Sequence, residues 1–139
     1  MVTFTIVSEY SQYPPTQLGL RQKIALGHPL YELDRVKGII KCGTGLQLWT
    51  KDCVSNVGGL GWDNTDVIEL ILQLRREDYI DSEWCDNGKG ALAACDAYSI
   101  ECMEWIATAN KNMRIEYFLK FAINKLGTMV LTISCHTAR

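Results

Sequence analysis

Lys120 and His136 are the residues of this 139-residue chain that could hold an anion or move a proton close to one another. Both lie in EYFLKFAINKLGTMVLTISCH, from Glu116 to His136, which reads as two β-strands and a turn. Histidine titrates near neutrality and suits general acid or base work. Lys120 interrupts an otherwise apolar run. Alternate residues of a strand share a face, so Phe118, Lys120 and Ala122 oppose Leu119, Phe121 and Ile123. In the second strand Val130, Thr132, Ser134 and His136 oppose Met129, Leu131, Ile133 and Cys135. A three-residue loop, Lys125 to Gly127, would place its last residue in the left-handed region, where glycine carries no steric cost. That loop sets Phe118 against Ser134, Lys120 against Thr132 and His136 against Glu116. The predicted hairpin has one apolar face and one mixed face that gathers Lys120, Thr132, Ser134 and His136. A half-solvated sheet face shows the same pattern with no chemistry attached.

Other reactive side chains are scattered. The six cysteines, at 42, 53, 85, 95, 102 and 135, form no CxxC pair and no Cys/His cluster of zinc-ligand spacing. They are expected as small buried hydrophobes with free thiols, and no metal or other cofactor is implied. The formal charge is −2, unevenly spread: +2 over residues 1–62, −8 over 63–104 and +4 over 105–139. Only the C-terminal segment offers the basic footprint of a nucleic-acid binder. Asp78, Asp81, Glu83 and Asp86 head the acidic block, which is either a solvated surface or a docking face for a basic partner. Trp49, Trp62, Trp84 and Trp105 are spread along the chain and suit packing better than base stacking. His28, in a loop before Pro29, is assigned no role.

The elements that must position these residues follow from periodicity. VTFTIV alternates as a short strand that YPP, Tyr13 to Pro15, should end. From Glu32 to Cys42, Leu33, Val36, Ile39 and Ile40 recur at helical spacing, with Gly43 just past the end. A second helix starts after Thr50 and is stopped by GGLG, Gly58 to Gly61. A third is capped by Asp63 or Asn64, carries Val67, Leu70, Ile71 and Leu74 on one stripe, and finishes with Arg75 and Arg76. Strands are expected around Tyr79–Trp84, Ala97–Ile106, Arg114–Ile123 and Met129–His136, separated by NGKG and TANKN loops. The reading is an α+β domain, with N-terminal helices on an antiparallel sheet that ends in a C-terminal β-meander. Residues 1–28 form an N-terminal extension with a short strand, and 29–139 a single domain. The densest apolar run, Val67 to Leu74, contains Glu69 and Gln73, so no membrane span is expected. The start of the chain lacks secretory-signal features, and a cytoplasmic location is the expectation.

From Pro29 onward the order of segments resembles one family. PLYELDRVKGIIKCG looks like its first helix, and LGWDNTDVIELILQLRREDYIDS like its Leu-Gly turn, apolar helix and following strand. CDAY, at Cys95 to Tyr98, stands where its Asp-x-Tyr strand begins. FLKF and MVLTISCH match its last two strands. The family is the MqsR-type toxins of bacterial toxin–antitoxin pairs, whose fold is RelE-like, and the similarity covers about 110 residues in order.

The resemblance implies a metal-independent endoribonuclease that cleaves mRNA, whether or not on the ribosome, and is silenced by a cognate antitoxin. Such a reaction drives the ribose 2′-hydroxyl onto the adjacent phosphate, with a proton acceptor, a proton donor to the leaving 5′-oxygen and cations around the phosphate. Carried over by position, functional residues of the family fall at Asp81, Cys95, Phe118 and His136, where it has lysine, glutamine, tyrosine and lysine. Asp96, Tyr98, Leu119, Lys120 and Ser134 match. The implied site has His136 as general acid or base, Lys120, Arg114 and Arg139 as phosphate binders, and Tyr98 as a positioning or proton-sharing hydroxyl. The alternative is a catalytically inactive protein on the same scaffold that binds a protein partner, or inhibits one, through its acidic surface.

Overall fold

The computed structural model describes residues 4–15 and 22–138. In chain order its elements are β1 (Thr5–Ile6), α1 (Leu33–Ile40), β2 (Leu46–Leu48), α2 (Lys51–Gly59), α3 (Asn64–Leu72), β3 (Tyr79–Asp86), β4 (Ala91–Ile106), β5 (Lys111–Ile123) and β6 (Val130–Thr137). A short 3-10 turn, Arg76–Asp78, leads into β3. Three helices and a six-stranded sheet make an α+β fold.

Helix starts follow their caps. The Thr50 hydroxyl accepts the Cys53 amide at 3.0 Å, and the same hydroxyl donates to the Ile133 carbonyl at 2.7 Å, which ties α2 to β6. At α3, Asp63 accepts the Asp66 amide while Asp66 accepts the Asp63 amide, a reciprocal capping box. Arg75 and Arg76 lie beyond α3 and do not finish it as expected, because the helix stops at Leu72 and the chain turns into the 3-10 segment.

β3 to β6 are consecutive antiparallel neighbours, which is the expected meander. The sheet as a whole is mixed rather than antiparallel. β1 pairs with β4 in parallel at Thr5 and Ile6, and β2 pairs with β6 in parallel from Leu46 to Leu48. Nor do the helices precede all the strands, since β1 comes before α1 and β2 lies between α1 and α2. The N-terminal segment is built into the same body. Ser8 bridges to Asn124, and residues 22–24 hydrogen-bond along β3, Trp84 N–H to the Gln22 carbonyl and Ile24 N–H to Ser82.

The helices cover the sheet face that carries Tyr98, Leu119, Phe121 and Cys135, and with it they form the main core around Val36, Ile40, Val67, Ile71 and Leu74. On this face the buried carboxylate of Asp96 is a structural clamp. It accepts the amides of Leu30 and Tyr31 at 2.9 and 3.1 Å and the Ser82 hydroxyl at 2.7 Å, and so docks the approach to α1 on β4.

The last hairpin departs from expectation in a way that preserves its outcome. Its loop is longer than three residues: Ile123 pairs with Val130, and the Asn124 side chain accepts the amides of Thr128 and Met129. Gly127 has φ of 74°, the left-handed conformation foreseen for it. The longer loop moves the register by one residue, which by itself would turn Lys120 and His136 to opposite faces. A bulge at Ile133 adds the second residue, because Phe121 pairs with Thr132 but Lys120 with Ser134. Phe118 therefore pairs with His136, and Lys120 and His136 share a face.

Candidate functional site

That face carries, from the outer end of the meander inward, Arg114, Glu116, Phe118 and Lys120 on β5, with Ser134 and His136 on β6 and Ser99 and Glu101 on β4. β3 ends at Tyr79, opposite Tyr98, so among the described residues β4 has no neighbour on that side from Ser99 onward. An open hollow of about 480 Å³ lies here, lined by Ile80, Ser99, Glu116, Phe118, His136 and Ala138.

His136 is half-buried, its ring stacked on Phe118 with centroids 5.3 Å apart and planes 22° from parallel. Its Nδ1 lies 2.8 Å from the Thr137 carbonyl oxygen. A carbonyl can only accept, so this hydrogen bond requires a proton on Nδ1 and leaves Nε2 as the basic nitrogen of the neutral ring. Glu116, exposed on the neighbouring strand, accepts the Ser99 hydroxyl at 2.7 Å. A carboxylate and an imidazole in one hollow can act as proton acceptor and proton donor. Ser99 and Ile80 had no sequence signal. They reach the hollow through pairing of distant strands, and Glu116 gained meaning only from the hairpin register.

Arg114 lies on the same face, with its side chain 71% exposed and Nε 3.4 Å from Glu101. An exposed pair of this kind contributes about 0–1 kcal/mol, so the guanidinium is free to exchange Glu101 for a phosphate. Arg139, expected as a second phosphate binder, lies outside the described residues.

Lys120 is placed differently from the expectation. Its face is right, but it is only 5% exposed, and its ammonium is ion-paired with Glu83, itself 3% exposed. Glu83 is also 3.2 Å from Lys23, whose ammonium holds Asp81 at 2.6 Å. Burial acts to raise the Glu83 carboxyl, but Lys120 and Lys23 outweigh it and hold the group below its ordinary range. Lys120 thus serves the packing of β3 on the sheet. Its Nζ also lies 5.6 Å from the centre of the Phe118 ring. The aspartate that stands in place of a lysine, Asp81, is explained by the same network.

Tyr98 is not part of this face. It pairs with Leu119 and projects to the helical side, where it is fully buried, stacked 5.3 Å from Phe121 and set edge-on 5.6 Å from Tyr79. Burial, followed by the nearby Asp96 charge, pushes its hydroxyl well above the ordinary tyrosine range. It cannot share a proton with His136 from the opposite face of the sheet. Cys95 is also buried, with Sγ donating to the Ala93 carbonyl at 3.3 Å.

Among the described residues no group of three or more His, Cys, Asp or Glu could hold a metal ion, and no helix is long and apolar enough to cross a membrane. All six thiols are free, as expected, but only four are buried: Cys42 is exposed and Cys102 half-buried. Of the tryptophans, Trp84 is buried in a second, smaller cluster with Leu92 and Ala94, and Trp49 and Trp62 pack against the main core, whereas Trp105 is 60% exposed on the outer end of the β4–β5 hairpin. Comparison with protein families, with curated proteins and with solved structures finds no match for the chain.

Proposed function

We propose that the chain is the toxin of a toxin–antitoxin pair, an endoribonuclease that cuts mRNA from the hollow around His136. The observation that carries this reading is that Glu116 and His136 both line one open hollow on the last two strands. The ordered resemblance of residues 29–139 to MqsR-type toxins, and the C-terminal meander, support a RelE-like scaffold for it.

In the active protonation state Glu116 is ionised and His136 carries both protons. Glu116 takes the proton of the ribose 2′-hydroxyl as that oxygen attacks the adjacent phosphorus. His136 gives its Nε2 proton to the departing 5′-oxygen. Arg114 neutralises the charge that grows on the phosphate. The products are a 2′,3′-cyclic phosphate and a 5′-hydroxyl. The chain itself supplies both proton-transfer groups, so a bound metal is not required. A cognate antitoxin would silence the protein by covering this face.

A second reading is favoured by Lys120. With that lysine buried under Glu83, and Asp81, Glu101 and Glu116 among the charges on the face, the surface is more acidic than an RNA-binding face usually is. It would then be a non-catalytic binder of a basic protein partner. Expression of wild type and His136→Ala in a bacterium separates the two. The ribonuclease reading expects growth arrest and fragmented mRNA with wild type and neither with the variant. Equal harmlessness with intact mRNA leaves the binding reading.

A further inference from the structure

On the helical side of β4 a cavity of about 700 Å³ opens between the start of α1 and the turn after α3. Leu30, Leu33 and Leu74 give it apolar walls, and Tyr98 lines it. Tyr98 is 0% exposed, and its hydroxyl has no hydrogen-bond partner among the described residues. Leaving a buried hydroxyl unpaired costs about 1–3 kcal/mol, and a ligand atom in the cavity would satisfy it.

Cations gather at the mouth. Lys37 is committed to the Leu74 carbonyl at 2.6 Å. Arg75 reaches Glu77 and Asp78 only at 3.8 and 3.9 Å, and Arg76 makes no ion pair among the described residues. Glu32 and Asp34 also border the cavity, so its positive charge is concentrated on the Arg75–Arg76 side. Apolar walls, an unpaired hydroxyl and two loosely held guanidiniums suit a small organic anion with a flat body.

A groove along the β4 edge borders both the cavity and the candidate active site. Arg75 also lines a groove along the unpaired edge of β4, together with Ser99, Glu101, Arg114 and Glu116. Ser99 and Glu116 in turn line the His136 hollow. We propose that this cavity binds one nucleotide of a single-stranded RNA, its base against the Tyr98 hydroxyl and its phosphate on Arg75 and Arg76. The strand then passes over the bare β4 edge to His136. The choice of RNA rests on the ribonuclease reading, whereas the anion site rests on the cavity alone.

The test measures binding of an uncleavable 2′-O-methyl RNA 10-mer, and of the four nucleoside monophosphates, to wild type, Tyr98→Phe and Arg76→Ala. Wild type is expected to bind the strand more tightly than any monophosphate. Tyr98→Phe should weaken the strand about three- to tenfold, the size of one hydrogen bond, with the fold unchanged by circular dichroism. Arg76→Ala should weaken it as well, and more at low salt than at high salt. No binding of the strand to wild type, or equal binding by both variants, overturns the proposal. So does a monophosphate that binds as tightly as the strand, which would make the cavity a small-molecule site. Cleavage of unmodified RNA is scored separately: if it is absent while the strand binds as expected, the ribonuclease reading fails and the site stands.

Discussion

Replacement of Lys120 by methionine distinguishes a structural lysine from a catalytic one. Lys120 and Glu83 are 5% and 3% exposed and form an ion pair inside the fold. Removal of one partner from such a pair costs about 3–5 kcal/mol, because the other charge is left buried. Here Lys23 remains 3.2 Å from Glu83 and compensates in part, which puts the expected loss near about 3 kcal/mol. With a urea m-value of about 1.5 kcal/mol/M, the unfolding midpoint of Lys120→Met should fall by about 2 M. The double variant Lys120→Met/Glu83→Leu removes both charges and should recover most of the loss, to within about 1 kcal/mol of wild type. A midpoint for Lys120→Met within about 0.5 M of wild type would refute the structural assignment. So would a normally stable Lys120→Met protein that has lost all RNA cleavage.

Two further outcomes follow from the same structure. Glu83 titrates below its ordinary value of 4.5 in the fold, so the folded chain binds fewer protons there than the unfolded chain. Its contribution is complete above that ordinary value and is lost as pH falls through the lower folded value; the urea midpoint should fall over that acid range, and less steeply in Glu83→Gln. Gly45→Ala drives a Cβ into the Ile39 carbonyl oxygen, where α1 meets β2. A loss of about 2–3 kcal/mol is expected in urea unfolding, and a neutral substitution would contradict the close approach.

Local signals in the sequence located the helices well. α3 announces itself through an acidic cap and an i, i+3, i+4, i+7 stripe, and both operate within a few residues of chain. β2 escaped because three residues carry no periodicity and its pairing with β6 is parallel and remote. The start of β4 was also invisible: ALAACD has neither β-branched residues nor alternation, since residues 92–98 are all buried. The site was legible where it depended on one hairpin. Lys120 and His136 share a face, although the loop length and the bulge at Ile133 each differ from the expectation and offset one another. What the sequence could not convey was partnership across the sheet. Glu83 reaches Lys120 only through the β3–β4–β5 pairing, which converts a candidate phosphate ligand into a buried ion pair. Tyr98 sits on the helical face because its register partner is Leu119 rather than Lys120.

The most direct measurement is cleavage of a defined single-stranded RNA by purified wild type, His136→Ala and Glu116→Gln, with the product ends identified by mass. The account predicts fragments ending in 2′,3′-cyclic phosphate and 5′-hydroxyl from wild type. Each variant should be slower by at least about 100-fold, the smaller end of what a positioned acid or base contributes. RNA left intact by wild type, or cut equally well by His136→Ala, would contradict it.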